Sequence, residues 1–468
     1  MKRALILAVL LGGCSMAPKY VRPAPAIPAA LPAGEAVTAP LDRRAIFADA
    51  RLLALIDRAI ANNQNLRATL ANVEVARGQY RVQRAAQFPG IELGAGAGVR
   101  KGVNSTQIAN NGGTVSTSSG VRQNYSVDLG INAFELDLFG RVRSLSNAAL
   151  NEYLATDAGA RAVRVTLVGD VAEAWFTYAS DRSLLAIADD TRKAASESAR
   201  LTEARRKGGI APRSDLDQAL TVQKTAEADF ARQTAQVAQD RNALALLIGG
   251  PVADEELAPT IDNALTAITP PPVGMSSEVL LRRPDVIAAE YRLRAANARI
   301  GAARAAFFPR ISLTGLLGFA SSALGSLFDG GAFNWSASGN LSQPIFGWGA
   351  NQGNLTVARA GADAAVANYQ FAIQTAFRET ADALARRATL GDEQKAGADL
   401  VAASADNAYL ADARYKGGVD TFLSSLDAQR SLYSARRSLV TTELARGVNV
   451  ANLYRALGGD EQIPATTK

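Results

Sequence analysis

The chain has 468 residues, 50 of them basic and 44 acidic, with a net charge of +6, one cysteine and no histidine. Without histidine, the commonest general base and the commonest metal ligand are missing together, and a Ser-His-Asp or Cys-His nucleophile is excluded. A single cysteine excludes an intramolecular disulfide and any cysteine-ligated cluster, so composition points away from an enzyme, and no cofactor or metal is expected.

The basic residues are scattered beside acids rather than clustered with stacking aromatics, so no nucleic-acid partner is expected. Lys2 and Arg3 precede an apolar run, 4–11, that is too short to span a bilayer. Leu11-Gly12-Gly13-Cys14 then resembles a bacterial lipobox. That resemblance implies cleavage before Cys14 and lipid attachment to its sulfur and new amine, and Ser15 after it implies sorting to the outer membrane. An ordinary signal peptide with an incidental cysteine is the alternative. Loss of Lys2 and Arg3 lowers the formal charge to +4, 48 basic minus 44 acidic. Pro18, Pro23, Pro25, Pro28, Pro32 and Pro40 follow, and proline at this density favours extended backbone, a strap from lipid to body. No later run of 18 apolar residues offers a transmembrane helix.

Leu52, Leu55, Ile56 and Ile60, then Leu66, Leu70 and Val73, each recur at helical steps, predicting one helix over 49–87 that Pro89 ends. The period then becomes two. Ile91, Leu93, Ala95, Ala97 and Val99 alternate with Glu92, three glycines and Arg100, and after a glycine-rich loop at 102–120 the alternation resumes at Tyr125, Val127, Leu129 and Ile131. From Arg141 to Lys207 there is no proline, with Leu167, Val171, Trp175 and Tyr178 forming a seam. As a helix this span is ~100 Å long. It stops at Gly208-Gly209, and a second helix returns over 213–248.

The pattern then repeats. Ala85-Ala86 and Phe88-Pro89 match Ala305-Ala306 and Phe308-Pro309, an offset of 220. Leu138-Phe139-Gly140 matches Ile345-Phe346-Gly347, an offset of 207, and Ala204 to Ile210 matches Ala413 to Val419, an offset of 209. Strands are predicted around Ile311 to Phe319 and Phe333 to Leu341, and long helices over 351–416, with Val366, Tyr369, Ile373, Phe377 and Leu384 in the seam, and over 422–457, meeting at Gly417-Gly418. The chain divides into a signal segment, 1–13; a lipidated tether, 14–48; a first repeat, 49–275, with strands in 88–138 and helices in 141–248; a second repeat, 276–458, with strands in 308–346 and helices in 350–457; and a tail, 459–468.

Strands with one apolar and one small or polar face, about ten residues long, suit lipid outside and water inside. Four are too few for a barrel, which needs at least about eight, so three copies giving twelve are expected. The fold class is an α+β membrane protein, an outer-membrane β-barrel continued by a long periplasmic α-helical barrel, with a two-fold internal repeat. Such an object is a conduit.

Leu280-Leu281-Arg282-Arg283-Pro284-Asp285-Val286, Ala288-Ala289-Glu290, Ala305 to Leu313, Arg414 to Asp420 and Leu426 to Arg430 resemble the TolC-like outer-membrane efflux proteins, in the lipoprotein branch often called NodT or OprM-like. The resemblance implies a homotrimeric, passive exit duct for small molecules, held in outer-membrane lipid, with a periplasmic adaptor and an inner-membrane pump of the resistance-nodulation-division type as partners. It places a periplasmic gate at Leu423, Asp427 and Arg430, which share one helix face at i, i+4 and i+7, with Tyr415 tying helices together. Ser424 stands where some members carry a second acid. The tips Gly208, Gly209, Gly417, Gly418 and Asp420 are expected to meet the adaptor. A plain solvated Asp427–Arg430 pair is the alternative to the gate; a protein-secretion duct or a coiled-coil envelope lipoprotein is the alternative to efflux. Paired Glu135 and Asp137 read as a strand-to-helix transition rather than a catalytic pair.

Overall fold

The computed structural model describes residues 15–28, 31, 42–101, 121–270 and 277–460. Cys14, the loop at 102–120 and most of the tail lie outside them. Its elements, in chain order, are α1 (Arg43–Ile46), α2 (Ala50–Asn62), α3 (Gln64–Ala85), β1 (Ile91–Lys101), β2 (Val121–Leu136), α4 (Arg141–Lys207), α5 (Arg213–Ile248), α6 (Ile261–Leu265), α7 (Pro284–Ala305), β3 (Arg310–Ser321), β4 (Phe333–Ser342), α8 (Ala350–Lys416) and α9 (Phe422–Ala456).

The duplication holds element by element. Helices α3 and α7 each have 22 residues, α4 and α8 each have 67, and α5 and α9 have 36 and 35. Gly140 and Gly349, with φ of 73° and 82°, immediately precede the two 67-residue helices. They align at an offset of 349 − 140 = 209, the spacing of the turn motifs. Phe139 therefore corresponds to Trp348 rather than to Phe346, a two-residue correction to the sequence match.

The single helix expected over 49–87 is two. Asp49 caps α2, accepting from the Arg51 and Leu52 amides. Asn63 then leaves the helix at φ −60°, ψ 123°. Its side chain accepts from the Leu66 amide at 2.9 Å and donates to the Leu247 carbonyl at 2.8 Å. The side chain thus replaces the backbone bonds that the break forfeits.

Two compact units divide the chain differently from the repeats. The first gathers Met1–Pro23, Glu74–Leu154 and Glu290–Ala367; the second gathers Ala24–Val73, Ala155–Ala289 and Asn368–Lys468. Each takes matching pieces of both repeats.

The first unit holds one antiparallel sheet in the order β1-β2-β3-β4. Its register sets Leu93, Leu129, Leu317 and Trp335 in one row across all four strands, and Ala95, Val127, Phe319 and Phe333 in another on the same face. The interleaved row on the opposite face is Gly94, Asp128, Gly318 and Asn334. Alternation has thus made one apolar and one small or polar face. Much of the apolar face is exposed among the described residues: Leu93 is 75% exposed and Trp335 71%, while Phe319 is half-buried against the Phe328 ring. Between Ile131 and Phe134 the β2–β3 register shifts, with Ala133 at φ 49° and its amide donating to Thr314 Oγ1. This bulge returns Phe134 to the apolar face although it lies an odd number of residues from Ile131.

The second unit is helical. All four residues of the first seam, Leu167, Val171, Trp175 and Tyr178, are buried, as are Tyr369, Ile373 and Leu384, while Phe377 is half-buried; Val366, which belongs to the first unit, is half-buried too. The approach is close enough that a Cβ on Gly447 would lie 2.8 Å from the Phe176 ring. No described helix is long and apolar enough to cross a membrane.

Candidate functional site

Both long helices end in the same turn. The Gly208 amide bonds to the Ala204 carbonyl, Gly209 to Arg206 and Ile210 to Arg205; the Gly417, Gly418 and Val419 amides repeat this on Ala413, Tyr415 and Arg414. Gly209 and Gly418 both have φ of 75°, the left-handed conformation that closes such a helix end. Arg205, Arg206 and Lys207 occupy the last turn of α4, where cations complement the helix dipole. Arg206 and Lys207 pair with Glu203, and the Arg206 hydrogen bonds above all hold its carboxyl down to about 2. The turns leave Ile210 and Val419 projecting, 74% and 70% exposed.

After the second turn, Thr421 caps α9 by accepting from the Ser424 amide. Asp420 accepts from the Thr421 amide at 2.8 Å, from Ser424 Oγ at 3.0 Å and from Arg414 Nε at 3.4 Å. The Thr421 and Ser424 bonds hold the Asp420 carboxyl below its ordinary value. Asp420 and Ser424 are therefore engaged in starting the helix.

The first turns of α9 have two faces. Phe422, Ser425, Leu426 and Ala428 are buried, while Leu423, Asp427 and Arg430 are exposed together. Phe422 and Leu426 pack with Ala199 and Ala219, and Val222 and Tyr415 lie against that cluster. The remaining face is the one carrying Leu423, Asp427 and Arg430. Among the described residues neither Asp427 nor Arg430 makes an ion pair.

Tyr415 is half-buried, its ring 5.3 Å from that of Phe422. The Arg205 guanidinium sits 4.7 Å over the Tyr415 ring, and its nitrogens donate to the Tyr415 and Lys416 carbonyls at 3.5 and 3.4 Å. Arg205 thus ties the end of α4 to the end of α8. Sequence reading passed over it, although it stands in the repeated turn motif, because nothing in a single sequence shows which of Arg205 and Arg206 points across. Beside this contact lies a cavity of about 680 Å³, lined by Leu201, Arg205, Ile210, Tyr415, Lys416 and Gln429 among others.

Glu135 and Asp137 are occupied structurally. Glu135 takes two hydrogen bonds from Arg141, at 2.6 and 2.8 Å, and Asp137 accepts from the Arg143 amide in the first turn of α4. No group of three potential metal ligands occurs among the described residues.

A four-stranded sheet with an exposed apolar face, in a duplicated chain of 67-residue helices, defines the subunit of a membrane-embedded duct. Comparison with known proteins makes the class specific. The family model described as Outer membrane efflux protein matches twice, over residues 55–250 and 275–459, once in each repeat. Outer membrane protein OprJ of Pseudomonas aeruginosa is 43% identical over 462 residues, covering 97% of this chain and 95% of its own. Solvent efflux pump outer membrane protein SrpC of Pseudomonas putida is 42% identical, covering 96% of each. The crystal structure of the open state of the Neisseria gonorrhoeae MtrE outer membrane channel superposes with a TM-score of 0.83 at 36% identity, covering 96% of this chain and 98% of that one. The chain belongs to the outer membrane efflux protein family. It is an outer-membrane efflux channel protein and not an enzyme.

Proposed function

We propose that three copies of this chain close a twelve-stranded barrel and form the exit duct of a tripartite efflux system. It receives small molecules from a periplasmic adaptor and an inner-membrane pump of the resistance-nodulation-division type. The sheet carries the reading. Its outer strands, β1 and β4, lie at the two ends of the sheet order. A long exposed edge pairs with another chain unless it is blocked. Setting β4 of one copy beside β1 of the next is a head-to-tail contact, which forms a closed ring when the rotation between neighbours closes. Three sheets of four give the even strand number that barrels of this kind require.

The exposed tips at Gly208, Gly209, Gly417 and Gly418, with half-buried Asp420 and with Ile210 and Val419 projecting beside them, form the adaptor surface. Leu423, Asp427 and Arg430 form the gate. In a threefold ring, Leu423 makes an apolar constriction and Asp427 a cation-favouring one. Arg205 stacked on Tyr415 holds the closed position, and parting it costs about 0.5–1 kcal/mol per chain. Lipidated Cys14 anchors the assembly in outer-membrane lipid.

Single-channel conductance in planar bilayers tests the gate. Wild type is expected to conduct poorly, and Asp427→Ala, Leu423→Ala and Arg205→Ala are each expected to open it several-fold. Wide conductance in wild type, unchanged in all three variants, removes the gate but leaves the duct. No conductance in any intact trimer removes the duct.

A further inference from the structure

The residues just after Cys14 lie along one helix. The Met16 carbonyl accepts from Arg304 Nη1 at 3.3 Å, Ala17 packs on Gly301, and the Pro18 carbonyl accepts from Asn297 Nδ2 at 2.8 Å. Tyr20 Oη donates to Glu290 Oε1 at 3.2 Å, the Arg294 guanidinium lies 5.0 Å over the Tyr20 ring, and Arg22 pairs with Glu290. Contacts thus step back along α7 at 304, 301, 297, 294 and 290 as the strap advances from 16 to 22. A free tether would not keep this register.

Two positions on α7 are explained by the strap. A Cβ on Gly301 would stand 2.7 Å from both the Cβ and the backbone nitrogen of Ala17. The glycine is a notch that admits the strap backbone. Glu290 is only 5% exposed. Burial pushes its carboxyl up, and hydrogen bonds from Arg22 and Arg294 more than reverse this. One of its two cations and its tyrosine donor therefore come from the strap, and without the strap a buried charge loses part of its compensation.

We propose that residues 15–22 are a fixed spacer docked in the Gly301–Glu290 groove of α7, which holds the lipid-bearing residue at a set level near the start of β3. Met16 is tied to Arg304, and β3 begins at Arg310. Cys14 precedes Met16 by only two residues in the sequence. The acyl chains then enter the membrane at the foot of the sheet. This rests on the lipidation of Cys14 proposed above.

The test is trypsin cleavage of the Lys19–Tyr20 bond in full-length trimer, read by mass spectrometry. Lys19 is exposed, so only docking of the strap protects that bond. Gly301→Ala strikes the strap alone and, as alanine in a helix, does not weaken α7. Cleavage about tenfold faster than wild type in Gly301→Ala and in Glu290→Ala, with trimers and melting temperature retained for Gly301→Ala, is the expected result. Equal cleavage rates in wild type and Gly301→Ala overturn the docking. The Cys14→Ala variant must be as resistant as wild type; if it is cut as fast as Gly301→Ala, the lipid holds the strap rather than the reverse, and the proposal fails. The mass of the released N-terminal peptide reports acylation separately, so an unlipidated Cys14 overturns the anchor without altering the docking result.

Discussion

In the pairing of α4 with α5, Asp240 Oδ2 is buried with no hydrogen-bond partner, while Oδ1 accepts from Gln236 Nε2 at 3.0 Å. Asp181 faces it from α4, itself accepting from Gln233 at 2.9 Å. Two carboxylates this close need a proton between them. Burial, then the Asp181 carboxylate, pushes the Asp240 carboxyl up to about 7. The folded state therefore holds a proton that the unfolded chain releases near pH 4, so this pair loses stabilising power as pH rises from about 4 to about 7. Asn at 240 supplies a permanent donor to Asp181. Asp240→Asn is expected to gain about 1–2 kcal/mol per chain at pH 8. Thermal melting at pH 8 and pH 5 checks it: the gain should be largest at pH 8 and shrink at pH 5, and a variant melting below wild type at pH 8 contradicts the shared proton.

Asn63 shows the same economy in an element. It breaks one predicted helix into α2 and α3 while capping the second and bonding to the end of α5. Asn63→Ala removes the cap and the hydrogen bond to the half-buried Leu247 carbonyl, a loss of about 1–2 kcal/mol. Denaturant unfolding that moves by less than about 0.5 kcal/mol would assign the break to backbone packing instead. The sequence patterns carried the long elements well. Helix α4 ends at Lys207 and α5 runs from Arg213 to Ile248, as glycine stops and an unbroken proline-free span foretell, because those signals are local. The Asn63 break left one trace, the six-residue step from Ile60 to Leu66 that no helical repeat gives, but only the tertiary contact to Leu247 shows that asparagine is capping. The β2 bulge escaped for a related reason: Phe134 is out of phase with Ile131 until Thr314, from another strand, receives the Ala133 amide. At the tip, the shared face of Leu423, Asp427 and Arg430 could be read from helical spacing. The reach of Arg205 to Tyr415 could not, since it joins residues 210 apart.

At the scale of the whole molecule, adjacent residues of β4 should behave oppositely. Trp335 lies in the apolar row with Leu317, Leu129 and Leu93, while Asn334 lies in the row of Gly318, Asp128 and Gly94. If three sheets close into a barrel, the first row meets lipid and the second meets water. An arginine on the lipid face costs about 2–4 kcal/mol near the midplane, and an arginine on the lumen face costs little. In a trimer the lipid-face cost is incurred three times, against a single assembly event. Trp335→Arg should therefore strongly reduce the heat-modifiable trimer recovered from outer membranes, while Asn334→Arg should leave it near the wild-type amount and change only ion selectivity. Equal losses from both substitutions would mean that β4 is buried on both faces, as in a sheet packed against protein, and would exclude the barrel. Loss from Asn334→Arg alone would reverse the assignment of the faces.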